Sequence, residues 1–192
     1  MRIVGGRFKG RGLKAPASPA KGVSAIRPTS DRLRESLFNI LAHRYGDPVT
    51  EARVIDLFAG TGALGLEALS RGARFALFVD DGSEARALLR ENVETLGAGG
   101  ITRIFRRDAT KLGDAPPGEP FTLAFLDPPY GQDLAPAALA ALHGGGWLAP
   151  GALCVVEEAA EATMGAAVGY ELLDARAYGD SQIGVFRHIA GA

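Results

Sequence analysis

Cysteine and long apolar runs are both scarce in this chain of 192 residues. The single cysteine, Cys154, cannot form an internal disulfide, and its place in the apolar stretch ALCVVEE favours a buried structural thiol over a nucleophile. No run of 18 apolar residues is present, and the N-terminus MRIVGGRFKGRGLK lacks the apolar segment of a signal peptide. The sequence therefore predicts a cytoplasmic protein with no membrane-spanning segment.

Histidine is also scarce, which limits the metal sites that the chain can build. The three histidines, His43, His143 and His188, show no metal-ligand spacing, so we expect surface or helix-end roles for them and no bound metal. Apolar residues make up 47% of the sequence, which is enough for one sizeable core. We expect a globular monomer.

The near-neutral net charge of −1 hides a strong asymmetry along the chain. Residues 1–44 hold ten basic and two acidic residues, a net charge of +8, whereas residues 45–192 hold eleven basic and twenty acidic residues, a net charge of −9. A basic segment on an acidic body is typical of proteins that contact phosphate backbones. The alternative is a solvated surface without a partner.

The first third of the sequence predicts an arm, a connection and a helix. Residues 2–14 alternate short β-like pieces with glycine and predict a small hairpin, and residues 15–26 are rich in Pro, Ala and Ser. In the helix that follows, Thr29 or Ser30 can cap the start. Arg32 and Arg34 lie about 200° apart on that helix, so both cannot face one ligand. We divide the chain into a basic arm with linker, residues 1–27, and one domain, residues 28–192.

From residue 53 onwards the pattern alternates strand, turn and helix. Near-continuous apolar strands between helices indicate a parallel sheet covered on both faces. Two closing runs, YELLDARAYGD and SQIGVFRHI, predict a terminal hairpin that places an antiparallel strand in the sheet. The other predicted strands are RVIDLFAG, RFALFVD, ITRIFRRD, FTLAFLD and ALCVVEE, and the predicted helices cover residues 62–71, 83–96 and 133–143.

The stretch DLFAGTGALG follows the first of these strands and satisfies the pattern G-x-G-x-x-G. The glycines concerned are Gly60, Gly62 and Gly65. Such glycines let the backbone pass close to a nucleotide, and Asp80, twenty residues beyond Gly60, can accept hydrogen bonds from ribose hydroxyls. Adjacent strand residues point in opposite directions, so only one of Asp80 and Asp81 holds the ribose, and the spacing favours Asp80.

Asp56 separates two candidate ligands. We expect it at the mouth of the site, where a carboxylate would repel a pyrophosphate and attract the ammonium and sulfonium charges of S-adenosylmethionine. Charge therefore favours S-adenosylmethionine over NAD. Asp108, at the end of the third predicted strand, is placed to meet the adenine edge, and a helix cap is the alternative role. Phe58 and Ala109 complete the predicted cofactor-binding set.

The stretch FLDPPYG places an acid, two prolines and an aromatic ring at the end of the fourth predicted strand. The lone pair of an amine conjugated to a base is delocalised, and acceptors aimed at its N–H groups localise it. Asp127 offers a carboxylate and Pro128 a carbonyl, while proline fixes φ and adds no competing N–H. Tyr130 can stack on a base for roughly 1–3 kcal/mol. The sequence predicts a clamp for a planar amine, with a tight turn as the alternative.

Together, DLFAGTGALG and LDPPYG resemble the class I S-adenosylmethionine-dependent N-methyltransferases that modify exocyclic amines. Further stretches are similar to the bacterial 16S rRNA guanine-N2 methyltransferase family named for guanine 966, and the resemblance covers nearly the whole chain. These stretches are RIVGGRFKGRGLKAP, RPTSDRLRESLFNIL, DLFAGTGALGLEALSRGA, GGWLAPGALCVVE and YGDSQIGVFR.

The resemblance implies a Rossmann-like α/β fold of seven strands, with the last strand antiparallel and a small N-terminal β-hairpin arm. It implies methylation of a guanine N2 amine of 16S rRNA in the small ribosomal subunit or an assembly intermediate, with S-adenosylmethionine as methyl donor. The cofactor positions would be Asp56, Gly60, Gly62, Asp80 and Asp108. The catalytic clamp would be Asp127, Pro128, Pro129 and Tyr130. The RNA-contacting residues would be Arg7, Lys9, Arg11, Lys14, Arg27, Arg32 and Arg34.

Two positions depart from the family pattern. The clamp of the family often ends in phenylalanine where this chain has Tyr130, a change that should preserve stacking. The acid that follows the second strand by two residues is replaced by Gly82, so any cofactor contact made by that side chain is absent.

Four other functions share part of this pattern. Adenine-N6 methylation of DNA uses the same clamp but normally needs an added recognition region, for which this chain leaves little room. Glutamine-N5 methylation of proteins more often uses asparagine where this chain has Asp127. An RNA-binding assembly factor without turnover has no need of Asp56, Asp80 and Asp127 together. Asp56 and the DPPY stretch also argue against a nicotinamide oxidoreductase.

Overall fold

A computed structural model describes residues 1–16, 30–165 and 167–191. A seven-stranded sheet forms its centre, in the order β3-β2-β1-β4-β5-β7-β6. Strands β1 to β5 pair in parallel with their neighbours, and β7 is antiparallel to both β5 and β6. The strands are β1 (Arg53–Leu57), β2 (Phe75–Val79), β3 (Thr102–Phe105), β4 (Phe121–Leu126), β5 (Leu148–Ala159), β6 (Tyr170–Tyr178) and β7 (Ser181–His188). The predicted sheet and terminal hairpin are confirmed.

In the described part of the chain, helix α1 precedes the strands and three further α-helices lie between them, and all four agree with the predicted helices. They are α1 (Asp31–Arg44), α2 (Ala63–Ser70), α3 (Ser83–Thr95) and α4 (Leu134–Gly144). The hydroxyl of Ser30 caps α1 by accepting a hydrogen bond from the Leu33 N–H at 3.1 Å, which satisfies one of the free donors of the first turn. Thr29, the other predicted cap, lies outside the described residues.

Both faces of the sheet are covered, as the apolar strands predict. On one face, helices α1, α2 and α3 bury side chains such as Phe38, Leu66 and Leu89 against the sheet. On the other face, α4 packs against a second cluster that includes Trp147 and Cys154. Cys154 is fully buried, as the sequence predicts, and burial raises the pKa of its thiol.

Strand β3 is shorter than its sequence pattern predicts. It ends at Phe105, opposite Val79, which is the last residue of β2. The Asp80 N–H, directly after β2, donates a hydrogen bond to the Phe105 carbonyl at 3.2 Å, and beyond it the exposed Arg106 and Arg107 lead into a turn. Asp108 therefore lies in the connection after β3 rather than at the end of the strand, which corrects the sequence expectation.

The described part of the arm packs on the domain instead of standing apart from it. A bridge between Arg2 and Gly12 and a short 3₁₀ helix at Gly6–Phe8 give it a hairpin-like course without regular strands. Ile3 and Leu13 are buried in the same cluster as α1, α2 and α3. The boundary predicted near residue 27 lies outside the described residues.

Within residues 1–16, 30–165 and 167–191, every helix is too short or too polar to cross a lipid bilayer.

Candidate functional site

The predicted site residues gather at one edge of the sheet because three neighbouring parallel strands end there. Asp80 follows β2, the glycine turn follows β1, and Asp127 follows β4. The Asp127 N–H lies 3.5 Å from the Leu57 carbonyl oxygen, so the clamp begins directly beside the glycine turn. From β1 the chain continues to β2 and β3 on one side of the sheet and then returns to β4 and β5 on the other side. Ligands of open α/β sheets bind at such a switch point, here between β1 and β4.

The turn after β1 is held in a conformation that glycine favours. Phe58 has a φ of +57°, a strained value for an aromatic residue, and Gly62 has a φ of +80°. A Cβ at Gly62 would overlap the side chain of Leu89, so the turn also needs glycine for packing. The turn therefore approaches α3 closely while its backbone stays close to the sheet edge.

The carboxylate of Asp80 accepts two backbone hydrogen bonds, one of them from this turn. Its Oδ2 accepts a hydrogen bond from the Gly60 N–H at 2.8 Å, and its Oδ1 accepts one from the Gly82 N–H at 2.8 Å. Partial burial raises the pKa of Asp80 above its ordinary value, and these amide hydrogen bonds oppose the rise. Asp81 is exposed, so the geometry assigns the inward position to Asp80, in agreement with the spacing argument.

Asp56 lies deeper than the sequence predicts. Its side chain is 2% exposed, and its Oδ2 accepts a hydrogen bond from the Gly65 N–H at 2.9 Å in the first turn of α2. Burial raises the pKa of Asp56 to about 8, so the carboxyl is largely protonated at neutral pH without a nearby cation. The expectation that it lies at the mouth is wrong, and repulsion of a pyrophosphate is a weaker argument against NAD than the sequence suggested.

The burial of Asp56 predicts a pH-dependent stability of the cofactor-free protein. Unfolded Asp titrates near pH 4, so between about pH 4 and about pH 8 the folded state holds a proton that the unfolded state has released. The free energy of unfolding should therefore fall with rising pH by at most about 1.4 kcal/mol per pH unit, and level off above about pH 8. Asp56→Asn, which cannot titrate, should show a flatter profile in denaturant unfolding. Parallel profiles for the two proteins would contradict this origin.

Asp108 is half-buried and makes a local turn rather than a helix cap. Its Oδ1 accepts hydrogen bonds from the Thr110 N–H at 2.8 Å and the Thr110 hydroxyl at 2.7 Å, and these bonds lower the pKa of Asp108. Its neighbour Ala109 is buried. A contact between Asp108 and an adenine edge stays a prediction.

The clamp has an anchor that the sequence analysis missed. The Tyr130 hydroxyl donates a hydrogen bond to Glu157 Oε1 at 2.9 Å, and Glu157, on β5, is 8% exposed. Burial and the nearby carboxylate both raise the pKa of Tyr130, so its hydroxyl stays protonated and keeps the bond. The tyrosine that departs from the family pattern thus fixes its ring to the neighbouring strand. The adjacent acids in VVEE were the only signal for this contact.

Replacement of Tyr130 can separate stacking from anchoring. Tyr130→Phe keeps the ring and removes only the hydroxyl that bonds the Glu157 carboxylate, so we expect a loss of turnover of up to about tenfold, the low end for a hydrogen bond to a charged group. Tyr130→Ala also removes the ring and should lose more than tenfold, because base stacking contributes roughly 1–3 kcal/mol. Steady-state rates of both variants test this order, and equal losses would show that the ring does not stack on substrate.

Most of the predicted RNA-contacting residues are exposed. They are Arg7, Lys9, Arg11, Lys14 and Arg32. Lys14 pairs with Glu91 on α3 at 2.5 Å, which engages its charge in part. Arg27 lies outside the described residues.

Arg34 does not fit the predicted RNA contact. Its side chain is fully buried, and its Nη2 donates hydrogen bonds to the Arg2 carbonyl at 2.7 Å and to Asp31 Oδ1 at 2.5 Å. A guanidinium enclosed between α1 and the arm cannot reach RNA from this position. The expectation for Arg34 is corrected to a structural role, and Arg32 on the opposite side of α1 keeps the RNA prediction, as their angular separation requires.

The arm is tied to α2 and α3 by polar side chains that sequence reasoning also missed. Glu67, fully buried, accepts hydrogen bonds from the N–H groups of Val4 and Gly5 at 2.9 and 2.8 Å. Ser70 accepts a hydrogen bond from the Phe8 N–H at 2.9 Å. Asn92 bonds the backbone of Lys14. Glu67 stands alone in the apolar run ALGLEALS, and that isolation was the available signal.

No cluster of His, Cys, Asp and Glu suited to a metal ion exists among the described residues. His43 and His143 lie in the last turns of α1 and α4, as expected. His188 is buried, which the sequence did not predict, and its Nε2 lies 3.0 Å from His143 Nδ1. This pair ties the end of α4 to the end of β7.

Relatives with established names share much of this sequence. The chain is 40% identical over 161 residues to "Ribosomal RNA small subunit methyltransferase D" of Escherichia coli K12. The aligned region covers 84% of this chain and 76% of the relative. It is 34% identical over 159 residues to the Haemophilus influenzae protein of the same name, covering 82% and 78% of the two chains.

Solved structures share the fold. The structure of yhhF from Escherichia coli matches with a TM-score of 0.81 and 33% identity, over 99% of this chain and 98% of that chain. Magnesium protoporphyrin IX methyltransferase from Synechocystis, solved with bound S-adenosylmethionine, matches with a TM-score of 0.60 and 15% identity, over 82% and 78% of the two chains. At that identity the likeness concerns the fold alone, which is that of a class I methyltransferase.

One family matches nearly the whole length of the sequence. The match runs over residues 1–187, so it includes the arm, the glycine turn, the clamp and the closing hairpin. The chain therefore belongs to the family described as Conserved hypothetical protein 95.

Proposed function

We propose that this protein transfers a methyl group from S-adenosylmethionine to the exocyclic N2 amine of a guanine in 16S rRNA, guanine 966 by resemblance. The observation that carries the proposal is the arrangement at the sheet edge, where Asp80 and the glycine turn lie beside the Asp127–Tyr130 clamp on adjoining strands. The relatives named rRNA methyltransferases support the reaction class and the substrate.

The cofactor end of the edge suits a ligand with hydroxyls and positive charge. Its polar groups are the carboxyls of Asp56 and Asp80 and the backbone amides of the glycine turn. Asp80 would hold the ribose hydroxyls through oxygen lone pairs that its two amide bonds leave available. A cation above the turn would lower the pKa of Asp56 and recover its charged form. When bound, S-adenosylmethionine supplies an electrophilic methyl group on its sulfonium.

The clamp end orients the amine and accepts its hydrogens. In the proposed mechanism Asp127 and the Pro128 carbonyl accept hydrogen bonds from the two N–H groups, which localises the nitrogen lone pair. That lone pair would form the new N–C bond as the bond between the methyl group and the sulfonium sulfur breaks and S-adenosylhomocysteine leaves, and the nitrogen would then release one proton toward Asp127 or water. Tyr130, anchored at Glu157, would stack on the guanine, and orientation against the methyl donor would supply much of the rate.

The basic arm is proposed to hold the RNA backbone. Removal of the charges at Arg7, Lys9 and Arg11 should weaken binding to small ribosomal subunits and reduce the slope of log affinity against log salt, because fewer counterions are released. A matched control removes three exposed charges outside the arm, at Arg74, Arg103 and Arg106. Filter binding over a range of salt concentrations tests this. Equal slopes for the wild type and the arm variant would refute a phosphate contact by the arm.

Transfer of labelled methyl groups to different acceptors tests the proposed reaction. The acceptors are small ribosomal subunits that lack the modification, naked 16S rRNA, DNA and a protein extract. Label in subunit rRNA, above that in naked rRNA, is the expected result. Label in DNA or protein alone would keep the clamp chemistry and overturn the substrate. Cofactor binding without label in any acceptor would favour a binding factor without turnover.

A further inference from the structure

We infer that Asn92 is a positioning residue that links the arm to the glycine turn, so that occupancy of the cofactor site and the stability of the arm depend on each other. The inference rests on the proposed function in one respect, since it takes the glycine turn to be the cofactor site. Asn92 lies on α3, outside both the clamp and the nucleotide motif. It would connect the glycine turn, where the cofactor is proposed to bind, with the arm, where RNA is proposed to bind.

The hydrogen bonds of Asn92 join two segments that are far apart in sequence. Its Oδ1 accepts a hydrogen bond from the Lys14 N–H at 2.7 Å, and its Nδ2 donates to the Lys14 carbonyl at 3.1 Å. The same Nδ2 donates to the Thr61 carbonyl at 2.9 Å. Thr61 lies between Gly60 and Gly62, in the middle of the glycine turn. One amide therefore contacts the arm backbone and the turn backbone at once.

Burial makes this amide costly to disturb. Asn92 is fully buried, and its three hydrogen bonds fix which end of the amide carries oxygen, because a backbone N–H needs an acceptor and the two carbonyls need donors. A shift of Lys14 that broke its two bonds would leave buried polar atoms without partners, and so would a shift of Thr61. The two segments should move or stay together.

A second contact joins the same two segments. The Thr61 hydroxyl lies 3.9 Å from Met1 Sδ, a weak sulfur contact, and the Leu13 N–H donates a hydrogen bond to the Met1 carbonyl at 2.9 Å. Both ends of the described arm thus converge on the turn. A ligand that orders the turn should stabilise the arm, and by thermodynamic reciprocity RNA bound on the arm should raise the affinity for cofactor.

Amide hydrogen exchange tests the link without RNA. The ligand is S-adenosylhomocysteine, which binds without turnover, and the readout is exchange of the amides in residues 1–14. In the wild type, S-adenosylhomocysteine should slow exchange in the arm by about fivefold, the effect of one retained hydrogen bond. In Asn92→Ala that slowing should disappear, and the affinity for S-adenosylhomocysteine should fall by about fivefold.

Ser70→Ala is the matched control. Ser70 also bonds the arm, at the Phe8 N–H and the Gly5 carbonyl, and these bonds do not involve the glycine turn. This variant should exchange its arm amides faster, but S-adenosylhomocysteine should still slow that exchange. Its affinity for S-adenosylhomocysteine should stay within about twofold of the wild type, a change smaller than the loss of one hydrogen bond would cause. Asn92→Asp, which keeps the acceptor for Lys14 and loses both donations, provides a second variant of nearly unchanged shape if the alanine variant does not fold.

The outcomes separate this inference from the proposed function. Failure of the wild type to bind S-adenosylhomocysteine would overturn the proposed cofactor and the inference with it. Binding by the wild type, with the same slowing of arm exchange in Asn92→Ala or Asn92→Asp, would leave the proposed function standing and overturn the role of Asn92. An equal loss of affinity in Ser70→Ala would show that any loosening of the arm has this effect, and would also overturn it.

Discussion

Asp127→Ala should lower the rate of methyl transfer by roughly 10²- to 10³-fold, the usual effect of removing one preorganised hydrogen-bonding group that acts on the reacting atoms. Asp127 begins the clamp beside Leu57, at the end of β1, whereas the carboxylate that bonds the glycine turn at Gly60 is that of Asp80, after β2. Cofactor affinity should therefore stay within about twofold. Single-turnover rates on small subunits and titration with S-adenosylhomocysteine measure the two quantities separately.

Asp127→Asn is the matched variant. It keeps the shape and one acceptor oxygen but lacks the charge, so its rate should lie between the wild type and the alanine variant. A large loss of cofactor affinity in either variant, with little change in the single-turnover rate, would show that Asp127 belongs to the cofactor site and would refute the division between clamp and turn.

Asp80→Ala should weaken cofactor binding by roughly 100-fold. Each hydrogen bond to a charged group contributes about 1.5–3 kcal/mol, and this variant would lose the proposed bonds to ribose hydroxyls. It would also release the Gly60 N–H from its 2.8 Å bond and loosen the glycine turn. Because the loss falls on binding, the single-turnover rate at saturating cofactor should change much less than the affinity.

Asp81→Ala controls for the removal of a negative charge at the same sheet edge. Asp81 is exposed and adjoins Asp80 in the chain, so its replacement should leave cofactor affinity within about threefold. Calorimetric titration with S-adenosylhomocysteine compares the two variants. Equal weakening by Asp80→Ala and Asp81→Ala would mean that general charge, not a held ribose, governs binding.

The fold and the layout of the site followed from the sequence because both depend on local patterns. Apolar strands that alternate with amphipathic helices define a parallel sheet, and the residues that follow such strands meet at one edge. The glycine spacing pointed to Asp80 rather than Asp81, and Asp80 is the residue that bonds the glycine turn, while the angular separation on α1 placed Arg32 and Arg34 on opposite sides. These relations need only the geometry of one helix or one strand.

What the sequence did not show depends on contacts between distant segments. The depth of Asp56 is set by α2 folding back over β1, so its raised pKa could not be inferred from its distance to a glycine. Tyr130 meets Glu157 because β4 and β5 are neighbours. Asn92 meets Lys14 and Thr61 only when the arm packs on α3. Glu157 and Asn92 stood out in no motif of the sequence.

Identification of the methylated nucleoside tests the central claim most directly. Small ribosomal subunits that lack the modification would be incubated with labelled S-adenosylmethionine and the wild-type protein, or with Asp127→Ala, and their rRNA digested to nucleosides. The account predicts one labelled product, N2-methylguanosine, with the wild type and roughly 10²- to 10³-fold less with the variant. Label in a different nucleoside, or equal label with both proteins, would contradict it.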